Sequence, residues 1–276
     1  MLRRKKILLN WKEYFDNDCK GEDMWGHYKT VNGDLYVVAD GASSHDGTKT
    51  GGDVARLIDH RLKQDSANIK HRSDLNEILH SINAESTKVN EGAYAAIAGI
   101  WYRRGKIYGF GAGDVSIIAG KANGKLIQVL PLDLNMQRKE AESLAKTEIG
   151  TKVHDVEITE YNYEQRIEQY IKHGLCNAIG LGESFSINTI NFNAKDGTVL
   201  LIASDGVTDV FMKTQSDAGK ILESDAPKLY NIINSNNNAD DAANALKDMV
   251  WDTQVEEKKK IKLDDRTGLF FYLNAS

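Results

Sequence analysis

Four apolar runs in this chain each lie against a carboxylate. Leu35-Tyr36-Val37-Val38-Ala39 ends on Asp40-Gly41, and Leu200-Leu201-Ile202-Ala203-Ser204 ends on Asp205-Gly206. Ile107-Tyr108-Gly109-Phe110 leads into Gly113-Asp114, and Asp264-Asp265 stands just before Leu269-Phe270-Phe271-Tyr272. Short apolar runs of this kind are strand-like. A strand end is rigid, so a carboxylate there is held where others can meet it. Several converging carboxylates repel one another strongly unless cations sit between them. Two readings follow: plain turn chemistry at Asp-Gly, or a polynuclear site for Mg²⁺ or Mn²⁺, which take oxygen ligands.

The two readings separate by what comes next. Asp196-Gly197 sits between two short strand patterns, 186–193 and 198–204, and is read as a hairpin turn with no chemistry. After Asp40-Gly41 the strand pattern does not resume and a polar loop and a helix follow; Asp205-Gly206 leads into Val207-Thr208-Asp209-Val210-Phe211, which is not a clear partner strand. Glycine there lets the backbone turn and leaves its carbonyl available as an oxygen ligand.

Around these anchors the chain alternates strands with helix pairs. Strands are predicted at 7–15 and 24–30, with an Asn32-Gly33 hairpin turn into the Leu35 run. Val54, Ala55, Leu57, Ile58 and Leu62 recur at helical spacing, predicting a helix over 52–64. Ser73-Asp74 opens a second helix with Leu75, Ile78, Leu79, Ile82 and Val89 as its apolar stripe. A meander of strands at 94–102, 107–112, 115–119 and 125–130 follows. Further helices are expected near 137–147, 216–224, 226–235 and 239–254, and a last strand at 267–273 that can share a sheet with the first. The order predicts α+β, with antiparallel sheets and helices packed outside. Two prolines and no Ser-rich linker favour a single domain over 1–276, with an irregular insertion at about 135–175.

Bulk properties exclude more than they assign. A formal charge of −5 argues against nucleic acid as partner. Two cysteines, Cys19 and Cys176, do not make a disulfide framework. No run is long enough to span a membrane, and Ile7-Leu8-Leu9 after the basic residues 3–6 is too short for a signal core. The expectation is a cytoplasmic protein, with a monomer favoured and the oligomeric state left open.

The motifs, in order, resemble those of the bacterial type 2C metal-dependent protein Ser/Thr phosphatases. Val38-Ala39-Asp40-Gly41-Ala42-Ser43-Ser44-His45 is similar to the family's VADG-x-G-G-H segment, and Gly21-Glu22-Asp23 to its upstream acidic motif. Gly92-Ala93 with 95–101 resembles its G-T-T strand, and Gly111-Ala112-Gly113-Asp114-Val115-Ser116 its G-D-S-R motif. Asn177-Ala178-Ile179-Gly180, Leu201–Asp209 and Asp264-Asp265-Arg266-Thr267 complete the set, which spans about 20–273.

The resemblance implies a β-sandwich of two antiparallel sheets flanked by helix pairs. It implies two Mg²⁺ or Mn²⁺ ions, bridged by Asp40, with the Gly41 carbonyl on one and Asp205 and Asp264 on the other. Glu22 and Asp23 would act on the first metal, and Asp114 with Asp205 on a loosely held third. It also implies in-line attack of a metal-bridged hydroxide on phosphoserine or phosphothreonine of a protein substrate. Asp265 fills a slot that is often Asn and is read as a neighbour of the ligands. His45 has two readings, general acid or solvated loop histidine.

The pattern departs from the family on the substrate side. Asp18 occupies the place of a phosphate-binding Arg, with Lys20 near it; Ser43-Ser44 replaces Gly-Gly; Ile117 follows Ser116 where Arg is usual. Two alternatives therefore accompany the phosphatase reading. One is a pseudophosphatase that binds a phosphoprotein without turnover, and the other a phosphatase of small metabolites. The 135–175 insertion stands where the family carries a variable flap; a plain surface insertion reads equally well.

Overall fold

The computed structural model describes residues 7–16, 21–43, 50–89, 92–120, 126–129, 177–193, 198–208, 238–256 and 265–275, with short pieces between 142 and 175 and at 229–232. Two five-stranded antiparallel sheets dominate. The first takes β1 (Ile7–Asp16), β12 (Arg266–Ala275), β11 (Thr198–Ala203), β6 (Ser116–Gly120) and β7 (Leu126–Gln128) in that spatial order. The second takes β10 (Asn188–Asn193), β5 (Lys106–Ala112), β4 (Ala93–Arg103), β3 (Gly33–Ser43) and β2 (Met24–Thr30). A separate small ribbon pairs β8 (Lys152–Val153) with β9 (Val156–Glu157). β1 and β12 pair over ten residues, from Ile7↔Ala275 to Asp16↔Arg266, as the strand character of both ends suggests.

Side-chain alternation assigns each strand face to a layer. In β3, Tyr36 and Val38 pack between the sheets with Ala96, Ala98, Ile100, Ile117, Leu200, Ile202, Leu269 and Phe271. Leu35, Val37 and Ala39 face the other way, onto α1 (Gly51–Asp65) and α2 (Arg72–Val89). Those helices bury Val54, Ile58, Leu62, Leu75, Leu79 and Ile82; Val89, read into the α2 stripe, is exposed. The first sheet is covered likewise. Leu201, Phe270 and Tyr272 meet Ala242, Leu246 and Val250 of α4 (Ala239–Glu256), while the single turn α3 (Asp205–Thr208) follows β11. The fold is thus the expected α+β sandwich flanked by helices.

Two local expectations are corrected. β10 and β11 are not a hairpin around Asp196-Gly197: β10 pairs with β5 and β11 with β12 and β6, in different sheets. The chain crosses between sheets there. The meander is interrupted in the same way, since β4 and β5 form a hairpin in one sheet and β6 and β7 in the other. The crossing falls at Gly113-Asp114, where Gly113 has φ +98. A third point is finer. The β2–β3 loop residues are Val31 and Asn32, with Thr30 opposite Gly33. Gly33 is needed there for close approach, because a Cβ would fall 2.0 Å from the Tyr102 carbonyl oxygen. The helix expected at 216–224 and most of those at 226–235 and 137–147 lie outside the described residues; Leu229, Asn231 and Ile232 are helical, as expected.

Candidate metal centre

Asp40 is on the same face of β3 as Tyr36 and Val38, so its carboxylate belongs to the layer between the sheets. It is the residue at which that layer stops being apolar. Opposite stands Ala96 of β4, small enough to leave room. Gly113 packs on the same alanine, with a would-be Cβ 2.5 Å from the Ala96 Cβ. The left-handed turn at Gly113 therefore brings Asp114 to the end of the sandwich where Asp40 is. Asp205 arrives from the other sheet at the end of β11, and Asp23 from the start of β2.

Electrostatics record this convergence. The Asp40 carboxyl is held well above the usual carboxylate range, first by burial and then by the negative charges of Asp205, Asp23 and Asp114. Asp40 and Asp205 are close enough to share a hydrogen bond, which requires a proton between them. Burial pushes Asp23 up to about 7, with Asp205 and Asp265 adding repulsion and the hydroxyls of Thr267 and Ser204 opposing it. Asp40 is half-buried as a residue, yet its Oδ2 is closed off from solvent and has no hydrogen-bond partner among the described residues. A buried carboxylate oxygen left so is costly unless a cation or proton meets it.

Glu22 is near but differently engaged. Its Oε1 accepts from the Gly51 N–H at the start of α1 (3.2 Å), and its own N–H donates to Oδ2 of Asp265 (2.8 Å). Asp265, 1% exposed, thus ties the last strand to the Gly21-Glu22-Asp23 motif. Gly41 stands opposite Ala95, whose N–H and C=O both bond Ile179 on its other side. The backbone groups of Gly41 are consequently turned away from β4, toward the Glu22 end of β2.

The structure therefore brings together Asp23, Asp40, Asp114 and Asp205, places Gly41 beside them, and turns the Glu22 carboxylate to α1. His45 and Asp264 lie outside the described residues, as do Asp18, Lys20 and Ser44. Among the described residues no three His, Cys, Asp or Glu side chains form a ready coordination shell. The donor set is nevertheless all oxygen, carries an orphaned buried carboxylate oxygen, and suits hard divalent ions such as Mg²⁺ or Mn²⁺.

Residue-by-residue motif reading misses the Gly51-Gly52 pair. A Cβ on Gly51 would fall 2.1 Å from the Ala42 nitrogen and 2.2 Å from the Gly41 carbonyl carbon; one on Gly52 would fall 2.7 Å from the Gly21 oxygen. The start of α1 thus packs backbone to backbone against both acidic motifs. A Gly-Gly directly before a helical pattern is the available signal, since it is a poor helix start for any other reason. Gly51→Ala is expected to destabilise the fold by about 3 kcal/mol, because backbone rather than a flexible side chain must move. Urea unfolding of the two proteins measures it.

The comparisons agree with this fold. The sequence profile of the family described as protein phosphatase 2C matches residues 15–250. In a search of curated protein sequences nothing matches the chain. Among solved structures the fold is similar to the Staphylococcus aureus serine/threonine phosphatase Stp1 (16% identity, TM-score 0.66, covering 96% of this chain and 95% of that one). It is similar also to the S. agalactiae serine/threonine phosphatase (14%, TM-score 0.64, 96% and 99%). A third is the catalytic domain of the serine/threonine protein phosphatase PstP in complex with two manganese ions (13%, TM-score 0.63, 97% and 99%). With 236 consecutive positions matched by the profile, and the sandwich and its acidic end in place, the chain belongs to the protein phosphatase 2C family, a class of metal-dependent Ser/Thr phosphatases.

Proposed function

We propose that this chain hydrolyses phosphoserine and phosphothreonine in proteins at a dinuclear Mg²⁺ or Mn²⁺ site, and that the whole chain is one catalytic unit. The observation that carries the reading is the meeting of Asp23, Asp40, Asp114 and Asp205 around a buried Asp40 oxygen with no hydrogen-bond partner among the described residues. Asp40 would bridge the two ions, with the Gly41 carbonyl on one and Asp205 and Asp264 on the other. Asp114 and Asp205 would hold a third more loosely. When bound, such ions acidify water toward neutral pH and screen the charge of phosphoryl oxygens.

The residues of the chain divide the remaining work. Asp23 holds or releases a proton near neutrality and is close enough to Asp40 and Asp205 to feel their charge. Glu22 is a positioning residue: its backbone is fixed by Asp265 and its carboxylate by α1. Thr267 and Ser204 moderate the repulsion at Asp23. His45 would protonate the leaving alkoxide. PstP, solved with two manganese ions, supports the metal count by likeness of fold.

The test is turnover of a phosphothreonine peptide, a small phosphometabolite and p-nitrophenyl phosphate with Mn²⁺, with calorimetric metal binding in parallel. Peptide turnover above metabolite turnover supports the reading. Metal binding without any turnover would leave a phosphoprotein-binding pseudophosphatase instead.

A further inference from the structure

At the end of β4 and β5 remote from the acids, the molecule holds a cavity of about 330 Å³. Ala96 of β4 faces Asp40, and the cavity is lined by residues five to seven positions further along that strand. At strand rise this is roughly 20 Å away. Four of its lining residues are cations: Arg72 at the start of α2, and Arg103, Arg104 and Lys106 around the β4–β5 turn. Arg103 is half-buried and the other three are exposed. No carboxylate lines the cavity, and none is within ion-pair distance of these four among the described residues. Asp74, the acid nearest Arg72 in sequence, accepts instead from the backbone N–H groups of Lys70 and His71.

Two of the guanidinium groups are shelved on aromatic rings. Arg72 lies 4.9 Å from the Tyr108 ring centroid and Arg103 5.6 Å from that of Trp101. Both rings are themselves fixed: Trp101 Nε1 donates to Thr30 Oγ1 (3.0 Å) and the Tyr108 hydroxyl to Asn76 Oδ1 (3.3 Å). Stacking on a held ring limits the side-chain freedom an arginine loses on binding a ligand. The ring faces are taken up by the guanidinium groups, so the cavity offers charge and hydrogen-bond donors rather than a stacking platform. Arg104 has φ 49, in the left-handed region, which fixes the course of the turn that carries three of the cations.

The chain as a whole is acidic, with a formal charge of −5. Four cations around one concavity, with no carboxylate partner among the described residues, attract anions selectively against that background. Planar forks match phosphoryl oxygens two at a time. A volume at the low end of ligand sites admits one or two phosphoryl groups, not a large cofactor. The geometry points to a second anion site here, which receives a phosphoryl group remote from the metal centre. The shared chemistry fits two sources, a free phosphate or pyrophosphate and a phosphorylated segment of a protein. The site does not depend on hydrolysis at the acidic end.

Calorimetry of the full chain in EDTA tests this, because the metal-free acids repel anions and leave the cavity as the binding locus. The probes are inorganic phosphate, pyrophosphate, a phosphoserine peptide and its unphosphorylated counterpart. Saturable binding of at least one phosphoryl probe is expected, weakened about tenfold or more in Arg72→Gln/Arg103→Gln. Arg72→Lys/Arg103→Lys keeps the charge without the fork and recovers part of the affinity. Hydrolysis of p-nitrophenyl phosphate is expected to be unchanged in both, which also reports that they fold. Tighter binding of the phosphopeptide than of pyrophosphate assigns the site to a phosphoprotein; the reverse order assigns it to a free anion. Absence of saturable binding by every probe, or equal affinity in wild type and the glutamine variant, overturns the proposal.

Discussion

Asp40→Asn is expected to lower metal-dependent phosphate ester hydrolysis by about a thousandfold while raising the melting temperature of the metal-free protein by about 3–6 °C. The two effects have one cause. In the absence of cations, Asp40 is a buried carboxyl crowded by Asp205, Asp23 and Asp114. An amide of the same shape removes the charge and the repulsion, so the apo fold gains. On the proposed bridging role, the same change also weakens the donor shared by the metals, so the metals and the electrostatic stabilisation they would bring are lost. Opposite signs guard the interpretation, since a variant that merely misfolds loses both activity and melting temperature. Retained activity would refute the bridging role, and a fall in apo melting temperature would refute the crowding. Melts in EDTA and p-nitrophenyl phosphate rates with Mn²⁺ read the two quantities.

The second large effect is a pH dependence. Asp23 is raised from 3.8 to about 7 in the fold, chiefly by burial. The folded form therefore holds its proton over a range where the unfolded chain has released it. The associated stability is fully present below the unfolded value near 3.8 and is lost as pH rises through about 7. A gap of about three units amounts to on the order of 4 kcal/mol. Metal-free wild type should thus lose about that much stability relative to Asp23→Asn between pH 4 and pH 8. Saturating Mg²⁺ or Mn²⁺ replaces the proton as counter-charge and removes the loss. The metal-induced rise in melting temperature is accordingly expected to be larger at pH 8 than at pH 5, by about 5 °C. Equal shifts at both values would mean that the ions do not bind at Asp23's cluster. Comparison with Asp23→Asn cancels the contributions of Asp34, Asp53 and Asp74, whose carboxyls are lowered and act in the opposite sense at acid pH.

The layers of the fold are legible in the sequence because burial writes itself into alternation. Leu35 to Asp40 can be assigned to helix face or sandwich face position by position, and the acid at its end falls on the sandwich side. Helix α1 is visible from its apolar spacing to within a residue or so at either end. Sheet membership is a different matter. Asp196-Gly197 has the chemistry of a hairpin turn, but turn chemistry describes only four residues and not which sheet the next strand joins. The difference was written elsewhere. Asn188-Thr189-Ile190-Asn191-Phe192-Asn193 alternates polar and apolar, which suits an edge strand, whereas Val199 to Ala203 is continuously apolar and central. Two strands so unlike are poor hairpin partners.

The candidate site shows the same division. Asp40, Asp114 and Asp205 stand out because an acid at the end of an apolar run breaks a local pattern. Gly51, Gly52, Ser204 and Thr267 break no such pattern. Their roles come from contacts between segments far apart in the chain, as with the Gly51 backbone against Gly41 or the Thr267 hydroxyl beside Asp23. Asp265 is intermediate: its place next to Asp264 marks it as a neighbour, but only the fold shows that it holds the Glu22 N–H across 243 residues of sequence.

That last contact has a consequence for biosynthesis. β12 lies between β1 and β11, and Asp265, the residue just before it, fixes the motif that carries Glu22 and Asp23. During translation the N-terminal acids emerge long before the strand that anchors them. Until β12 has cleared the ribosome, β1 and β11 are both left with an open edge, and the acidic pocket lacks one wall. A nascent chain at that stage exposes unpaired strand edges of the kind that chaperones shield. Pairings this distant in sequence also make for slow folding. The closing of this sheet therefore waits on the place of one strand in the order of synthesis.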